Sequence, residues 1–345
     1  MLLHDIRIAA KSLKRNRVLS TLTIAGVALG IALSTTFAAV RHAFARNPVS
    51  HKEAVLRYVR LDSWDPERAY PSLDDPKSLP TQITYRDMTE LMRSKIPIRQ
   101  TGLFKTSFYV FPEGESARPF QQETRLCFRD FFAMFDVPFR YGSAWDAKAD
   151  TGGEPVVVLS EEMNDRLFGG ANSVGKTLKL ADKDFRVVGV LAHYRPNIRI
   201  YDMTQNQIVP TEGLFAPFNL VRPMQLRSIG NLDGWGPSPA TPGFEGFLQS
   251  EAAWIQFWVE LPDAAAHAAY AEFLKGYILE QKKHGRFLRP LNYRLSSPSD
   301  LIRDFKAVPK EMNALLVVSL LFLAVCSVNL VGLLLGKFLA RSNEV

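Results

Sequence analysis

VLSTLTIAGVALGIALSTTFAAV, residues 18–40, contains no Asp, Glu, Lys, Arg or His, and neither does ALLVVSLLFLAVCSVNLVGLLLG, residues 314–336. At about 1.5 Å per residue, a 23-residue helix spans ~34 Å, enough to cross a hydrocarbon core about 30 Å thick. The fold follows from these two runs. Each is read as a transmembrane helix, and the 273 residues between them, 41–313, form one large domain. The averages over all 345 residues, 47% hydrophobic and 22% charged, hide this segregation. The two runs argue against a wholly soluble chain. The 11% aromatic content, with 23 Phe, argues against a disordered one.

The formal net charge of +7 suggests a nucleic-acid partner until it is placed along the chain. Residues 1–17 carry Arg7, Lys11, Lys14, Arg15 and Arg17 against Asp5, a net +4, and residues 337–345 carry a net +1. Only +2 is left for the large middle. The basic balance is therefore a juxtamembrane feature. Lys11, Lys14, Arg15 and Arg17 are read as contacts to anionic lipid, and no nucleic acid is expected. Residues 1–17 read as a basic amphipathic helix lying on the inner leaflet, with Leu2, Ile6 and Leu13 on its apolar face.

Five Lys or Arg precede the first run, and three (Arg41, Arg46, Lys52) fall in the fifteen residues after it. The positive-inside rule then puts both termini in the cytoplasm and 41–313 outside it. Ala43-Phe44-Ala45 imitates a signal-peptidase site, but an apolar run of 23 residues exceeds the ~7–15 of a signal peptide. The two cysteines, Cys127 and Cys326, belong to different layers, so no disulfide and no Cys-rich zinc site is expected.

Both runs hold Gly-x-x-x-Gly, as Gly26/Gly30 and Gly332/Gly336. That spacing clears one helix face for the close approach of another backbone. Asn329, one turn before Gly332, carries an amide that needs a partner in lipid and is expected to face protein.

The middle reads as mixed α/β. Strands are expected at Val55–Leu61, Lys105–Phe111, Val156–Leu159 and Trp254–Leu261, and a hairpin over 178–191 turning at 181–184. Helices are expected over 84–94 and 128–135, after the cap Ser160 through Phe168, and from Pro262 onward with Tyr270, Phe273, Leu274, Tyr277 and Ile278 on one face. Residues 209–246, with six Pro and six Gly, read as an irregular loop.

Gly170-Ala-Asn-Ser-Val-Gly175-Lys176-Thr177 fits G-x-x-x-x-G-K-T as text. A phosphate-binding loop follows a strand and opens a helix, whereas this one follows a helix and precedes a strand. Nucleotide binding is set aside. The six His show no i, i+4 pair and no metal-ligand spacing, and there is no G-x-S-x-G elbow. No catalytic residue, cofactor or metal is expected.

Three stretches resemble the MacB/FtsX-like permeases of ABC transporters. They are 8–16 leading into Leu22-Thr-Ile-Ala-Gly-Val-Ala-Leu-Gly30, then Pro155–Ser160 through Arg166–Gly170, Val174–Leu178 and Phe185–Leu191, and last Asn329–Gly332 through Arg341-Ser-Asn-Glu344. The resemblance implies an α+β extracytoplasmic domain of two mixed α/β subdomains between two transmembrane helices. It implies a non-catalytic subunit that passes ATP-driven motion from a cytoplasmic ABC ATPase to a periplasmic domain, for export or extraction of a substrate. Implied partners are that ATPase, a second permease copy or homologue, and periplasmic or outer-membrane components. Residues 337–345 would begin the cytoplasmic coupling element, with Arg341 and Glu344 as ATPase-coupling residues. The family continues into two more spans where this sequence stops at Val345, so a fragment or a reduced subunit is expected. Two other readings fit two spans around a large domain: a structural protein such as a polysaccharide chain-length regulator, and a two-span sensor.

Overall fold

The computed structural model describes residues 17–70, 78–112, 118–204, 210–236, 241–307 and 310–342. They form two compact units, one from the terminal regions through Arg46 and from Lys306, the other Asn47–Phe305.

The terminal unit is a helix pair, α1 (Arg17–Ala45) and α9 (Lys310–Ser342). Both helices overrun the uncharged stretches at both ends, because a hydrogen-bonded helix need not stop where charge resumes. Each is long and apolar enough to cross a membrane.

Among its described residues the second unit holds eleven strands: β1 (Leu56–Leu61), β2 (Ile83–Thr84), β3 (Arg99–Phe111), β4 (Phe120–Cys127), β5 (Phe139–Gly142), β6 (Val156–Leu159), β7 (Thr177–Leu180), β8 (Lys183–Leu191), β9 (Leu214–Pro217), β10 (Ala253–Glu260) and β11 (Tyr293–Ser296). Its helices are α2 (Tyr85–Leu91), α3 (Asp130–Met134), α4 (Ala147–Gly152), α5 (Glu161–Phe168), α6 (Gly243–Gln249), α7 (Ala264–Lys283) and α8 (Pro298–Asp304).

The strands join in the order β11-β1-β10-β3-β4-β9-β6-β8-β5. Strand β3 is shared between two differently built halves. Its first residues, 99–103, pair antiparallel with β10, and 103–110 pair antiparallel with β4. On one side β11, β1, β10 and β3 form an open antiparallel sheet. On the other, β7 pairs with both β3 and β8, closing a ring β3–β4–β9–β6–β8–β7. Two pairs in the ring, β4 with β9 and β6 with β8, are parallel, so this half is mixed in direction as well as in content.

Local chemistry explains the elements. Ser160 Oγ accepts from Met163 N, and Glu161 and Glu162 sit in the first turn of α5, complementing the helix dipole. Asp263 caps α7, which buries Tyr270, Leu274 and Ile278, one turn apart along one face. β10 is buried at every position, so its apolar residues do not alternate with polar ones, and its Gln256 is buried with them. Its Trp254 meets Phe104 of β3 edge-on with centroids 4.7 Å apart.

Some expectations change. Residues 209–246 are not one irregular loop: they contain β9, a 3₁₀ turn at Phe218–Val221 and the start of α6. All four residues of β9 are buried, and a strand this short, closed by Pro217, leaves no periodic signal. The hairpin is tighter than expected, turning at Ala181-Asp182 with Ala181 at φ 53°. β3 begins at Arg99, not Lys105, and β4, with Gln121, Gln122 and Glu123 in its first half, was too polar to read as a strand.

Candidate functional site

The glycine pair in α1 lies against α9. A Cβ at Gly26 would stand 3.2 Å from Cys326 Sγ, and one at Gly30 would stand 3.1 Å from Leu323 Cα. One turn on, Ser34 is also buried, and Ser319 continues the stripe formed by Cys326 and Leu323. The contacts descend one helix as they climb the other, so the pair is antiparallel. It ends with Arg41 Nε donating to Asn313 Oδ1 at 2.8 Å. The face that α1 presents is thus Gly-x-x-x-Gly-x-x-x-Ser, and its small residues allow close backbone packing where lipid offers no hydrophobic drive.

The other glycine pair is placed differently. Among the described residues, nothing lies within 4 Å of where a Cβ at Gly332 would stand, and Asn329 is exposed. Both lie off the stripe that meets α1. Gly336 and Arg341 lie in the last turns of α9, and Arg17 opens α1. Lys11, Lys14, Arg15 and Glu344 lie outside the described residues.

In the domain, the loop between α5 and β7 has the helix–loop–strand order read from sequence. Gly175 N donates to Val187 O at 2.8 Å, and Lys176 Nζ sits 5.0 Å from the Phe168 ring centroid. The loop is pinned to β8 and no helix begins after it. Among the described residues, no group of three or more His, Cys, Asp and Glu is placed to hold a metal.

The strongest electrostatic features are two buried ion clusters. In the first, Arg125 of β4 bonds Asp202 at 2.7 Å and also Glu212. Arg199 and Tyr201 reach Glu212 at 2.9 and 3.0 Å, and Gln256 of β10 reaches Asp202 at 3.1 Å. Burial alone would raise the pKa of Asp202 and Glu212, but Arg125, Arg199 and the hydrogen bonds the two carboxyls accept together outweigh it and hold both below their usual range. The cluster fastens the segment between β8 and β9 to strands of both halves. In the second, Arg286 bonds Asp87 at 2.8 Å and Glu251 at 2.8 Å, and Tyr277 OH donates to Asp87 at 2.6 Å. Again burial is outweighed, by Arg286, and Asp87 stays low. Such clusters are poor evidence of net stability, but losing one partner strands a buried charge at a cost of about 3–5 kcal/mol. Asp150 behaves in the opposite sense. Burial pushes its carboxyl up to about 6, against hydrogen bonds from Trp145 Nε1 at 2.7 Å and Arg129 N at 2.9 Å.

A cavity of about 270 Å³ opens beside the first cluster, lined by Val49 and His51, by Phe135 and Asp136, and by residues of the 194–201 segment that include Tyr194 and Tyr201. Its walls are largely aromatic and aliphatic. Its charged groups are already engaged, His51 with Asp136 at 2.8 Å and Arg195 with Glu162 at 2.7 Å.

In the sequence, the mixed α/β domain lies between two helices long and apolar enough to cross a membrane. Residues 20–275 match the family model of the MacB-like periplasmic core domain, and the chain belongs to that family. It is 22% identical over 196 residues to the pyoverdine export ATP-binding/permease protein PvdT of Pseudomonas aeruginosa. That match takes in 55% of this chain and 27% of the relative, so the chain spans little more than a quarter of that protein's length. Among solved structures, the periplasmic region of MacB from Actinobacillus actinomycetemcomitans is 15% identical, with a TM-score of 0.44, 77% of this chain covered and 100% of that one. The extracellular domain of the noncanonic ABC-type transporter YknZ from Gram-positive bacteria is 13% identical, with a TM-score of 0.41 and coverages of 70% and 100%.

Sequence reasoning singled out Gly26 and Gly30 but did not single out Ser34, Ser319 or Cys326. The signal was present, since Ser34 extends the four-residue spacing by one step. The ion clusters left almost none: Arg125 and Asp202 are 77 residues apart. Charged residues inside apolar context, such as Arg199-Ile-Tyr-Asp202, were the available hint.

Proposed function

We propose that this chain is a permease subunit of an ABC transporter, seated in the cytoplasmic membrane with both termini in the cytoplasm and residues 47–305 outside. It is not itself an enzyme in this reading. A separate cytoplasmic ABC ATPase hydrolyses ATP, and the paired helices carry the resulting motion to the domain, whose two subdomains meet along β3. The observation that carries the reading is the family match over residues 20–275, which takes in most of the first apolar helix and most of the domain. The Pseudomonas relative is a pyoverdine export ATP-binding/permease protein, which supports outward transport and an ATPase partner here. A sheet-built domain, whose longest helix is the 20-residue α7, also weighs against a chain-length regulator built on long helices.

The face of α9 bearing Asn329, Gly332 and Gly336 then packs against a second permease copy, a homologue or further spans. Periplasmic or outer-membrane components complete the export path. Arg341 and Glu344 follow the second span by one to two turns and dock the ATPase, while Lys11, Lys14, Arg15 and Arg17 hold the leading segment to anionic lipid. Reversing the charge of both Arg341 and Glu344 should lower partner-stimulated ATP hydrolysis severalfold and leave membrane insertion intact. Unchanged recruitment and stimulation would reduce these residues to headgroup anchors.

A further inference from the structure

The chain enters the domain through residues 47–53, a segment that carries more polar contacts than a passive linker needs. Asn47 Oδ1 accepts from Val49 N at 2.9 Å, folding the segment back on itself, and a 3₁₀ turn follows at Ser50–Lys52. The segment's side chains then reach out in two directions.

Lys52 reaches to the C-terminal end of α3. Its ammonium donates to the carbonyl oxygens of Ala133 and Met134, the latter at 3.2 Å, and pairs with Asp136 Oδ1 at 2.6 Å. These are the free carbonyls of a helix end, where a cation is favoured. His51 Nε2 meets the other oxygen of Asp136 at 2.8 Å. Asp136 holds φ at 50°, a left-handed position after a helix where glycine is the unstrained choice. A residue with a side chain sits there, and that side chain is used entirely on the 47–53 segment.

Glu53 reaches the other way. One of its oxygens, Oε2, accepts from Asn47 Nδ2 at 2.7 Å and from Ser299 Oγ at 2.9 Å, and the carboxylate takes Ser299 N at 3.3 Å. Ser299 is in the first turn of α8, whose other end leads within a few residues to the second apolar helix. The N–H that Glu53 satisfies is one of those a helix start leaves open, and Ser297 and Asp300 satisfy others by a capping box.

We propose that Lys52, Glu53 and Asp136 form a clamp that holds the segment entering the domain to α3 on one side and to α8, the element leaving it, on the other. The spacing between the points where the chain enters and leaves the domain is then fixed, and the ring half is carried with it through α3. The purpose assigned to the clamp rests on the permease reading: motion delivered by the two apolar helices reaches the whole domain instead of being absorbed at its first residues. These three are positioning residues.

The test uses the full chain in lipid nanodiscs, on a Cys326→Ala background, with spin-label pairs read as distance distributions. One pair joins Ser50 to Arg303 on α8, the other Ser50 to Lys148 on α4; all three are exposed, while Cys127 is buried. The unaltered clamp should give one narrow distance for each pair. Glu53→Gln should broaden the Ser50–Arg303 distribution at least twofold and leave Ser50–Lys148 narrow. Asp136→Gly relieves the backbone while removing the ion pair, and should do the reverse. A general loss of folding would broaden both pairs in both variants, which would overturn the assignment, as would two variants that broaden neither. Absence of an ATPase partner would count against the permease reading and leave these distances untouched.

Discussion

At the scale of single residues, the glycines of α1 make the sharpest prediction. A Cβ at position 26 would stand 3.2 Å from Cys326 Sγ, close to the reach of a disulfide. Gly26→Cys should therefore crosslink to the native Cys326 under mild oxidation, seen as a 2 Da loss by mass spectrometry of the reduced-versus-oxidised chain. Gly332→Cys should form no bond within the same chain, since among the described residues nothing lies within 4 Å of a Cβ there. Failure of the first or formation of the second would mean that the helices pair on other faces. This is also where the sequence was half legible. The two Gly-x-x-x-Gly repeats look alike as text, and only the position of the partner helix separates them. Gly26 and Gly30 fall on the contacting stripe, and Gly332 falls beside it. A one-dimensional pattern records spacing but not which way a helix face turns.

At the scale of elements, the pH response of the domain has two opposed parts. Asp87, Asp202 and Glu212 have folded pKa values held below their ordinary 3.8, 3.8 and 4.5. The stability they contribute is complete above those values and is lost as pH falls below them. Asp150 is raised from 3.8 to about 6, so between those values the folded state binds more protons than the unfolded one. Stability must then decrease as pH rises through that window, and the penalty persists above it. Asp150→Asn keeps an acceptor for Trp145 and Arg129 and removes the titration. Thermal unfolding followed from pH 4 to 7 should lose its downward slope in this variant, which should gain up to about 3 kcal/mol at neutral pH. An unchanged slope would contradict the buried placement of that carboxyl. Elements with a strong local signal were readable in the sequence: β6 from a run of apolar residues, α5 from the Ser160 cap, α7 from its spaced aromatics. Those held by distant partners were not. β4 is polar along half its length and is a strand because β3 lies beside it over eight paired residues. β9 is four residues long and is buried because β4 and β6 flank it.

At the scale of the whole molecule, the segregation of charge and apolar runs predicts a chain whose ends share one side of the membrane while the domain lies on the other. Cysteine labelling with a membrane-impermeant reagent should reach Lys148→Cys from outside the cell and Val345→Cys only after the membrane is opened. Labelling of both from the same side would contradict the topology. The mixed α/β content was legible early. The ring of six strands was not, because it depends on β7 pairing with the far end of β3, a contact between residues some 70 apart in the chain. The central proposal is that this chain works with a cytoplasmic ABC ATPase. The most direct measurement is to purify the full tagged chain from its native membrane in a mild detergent and assay the preparation for a bound ABC ATPase chain and for vanadate-sensitive ATP hydrolysis. The account predicts that such a chain co-purifies in near-stoichiometric amount and hydrolyses ATP faster in the complex than alone. A folded, membrane-inserted preparation in which no nucleotide-hydrolysing chain is retained would contradict it.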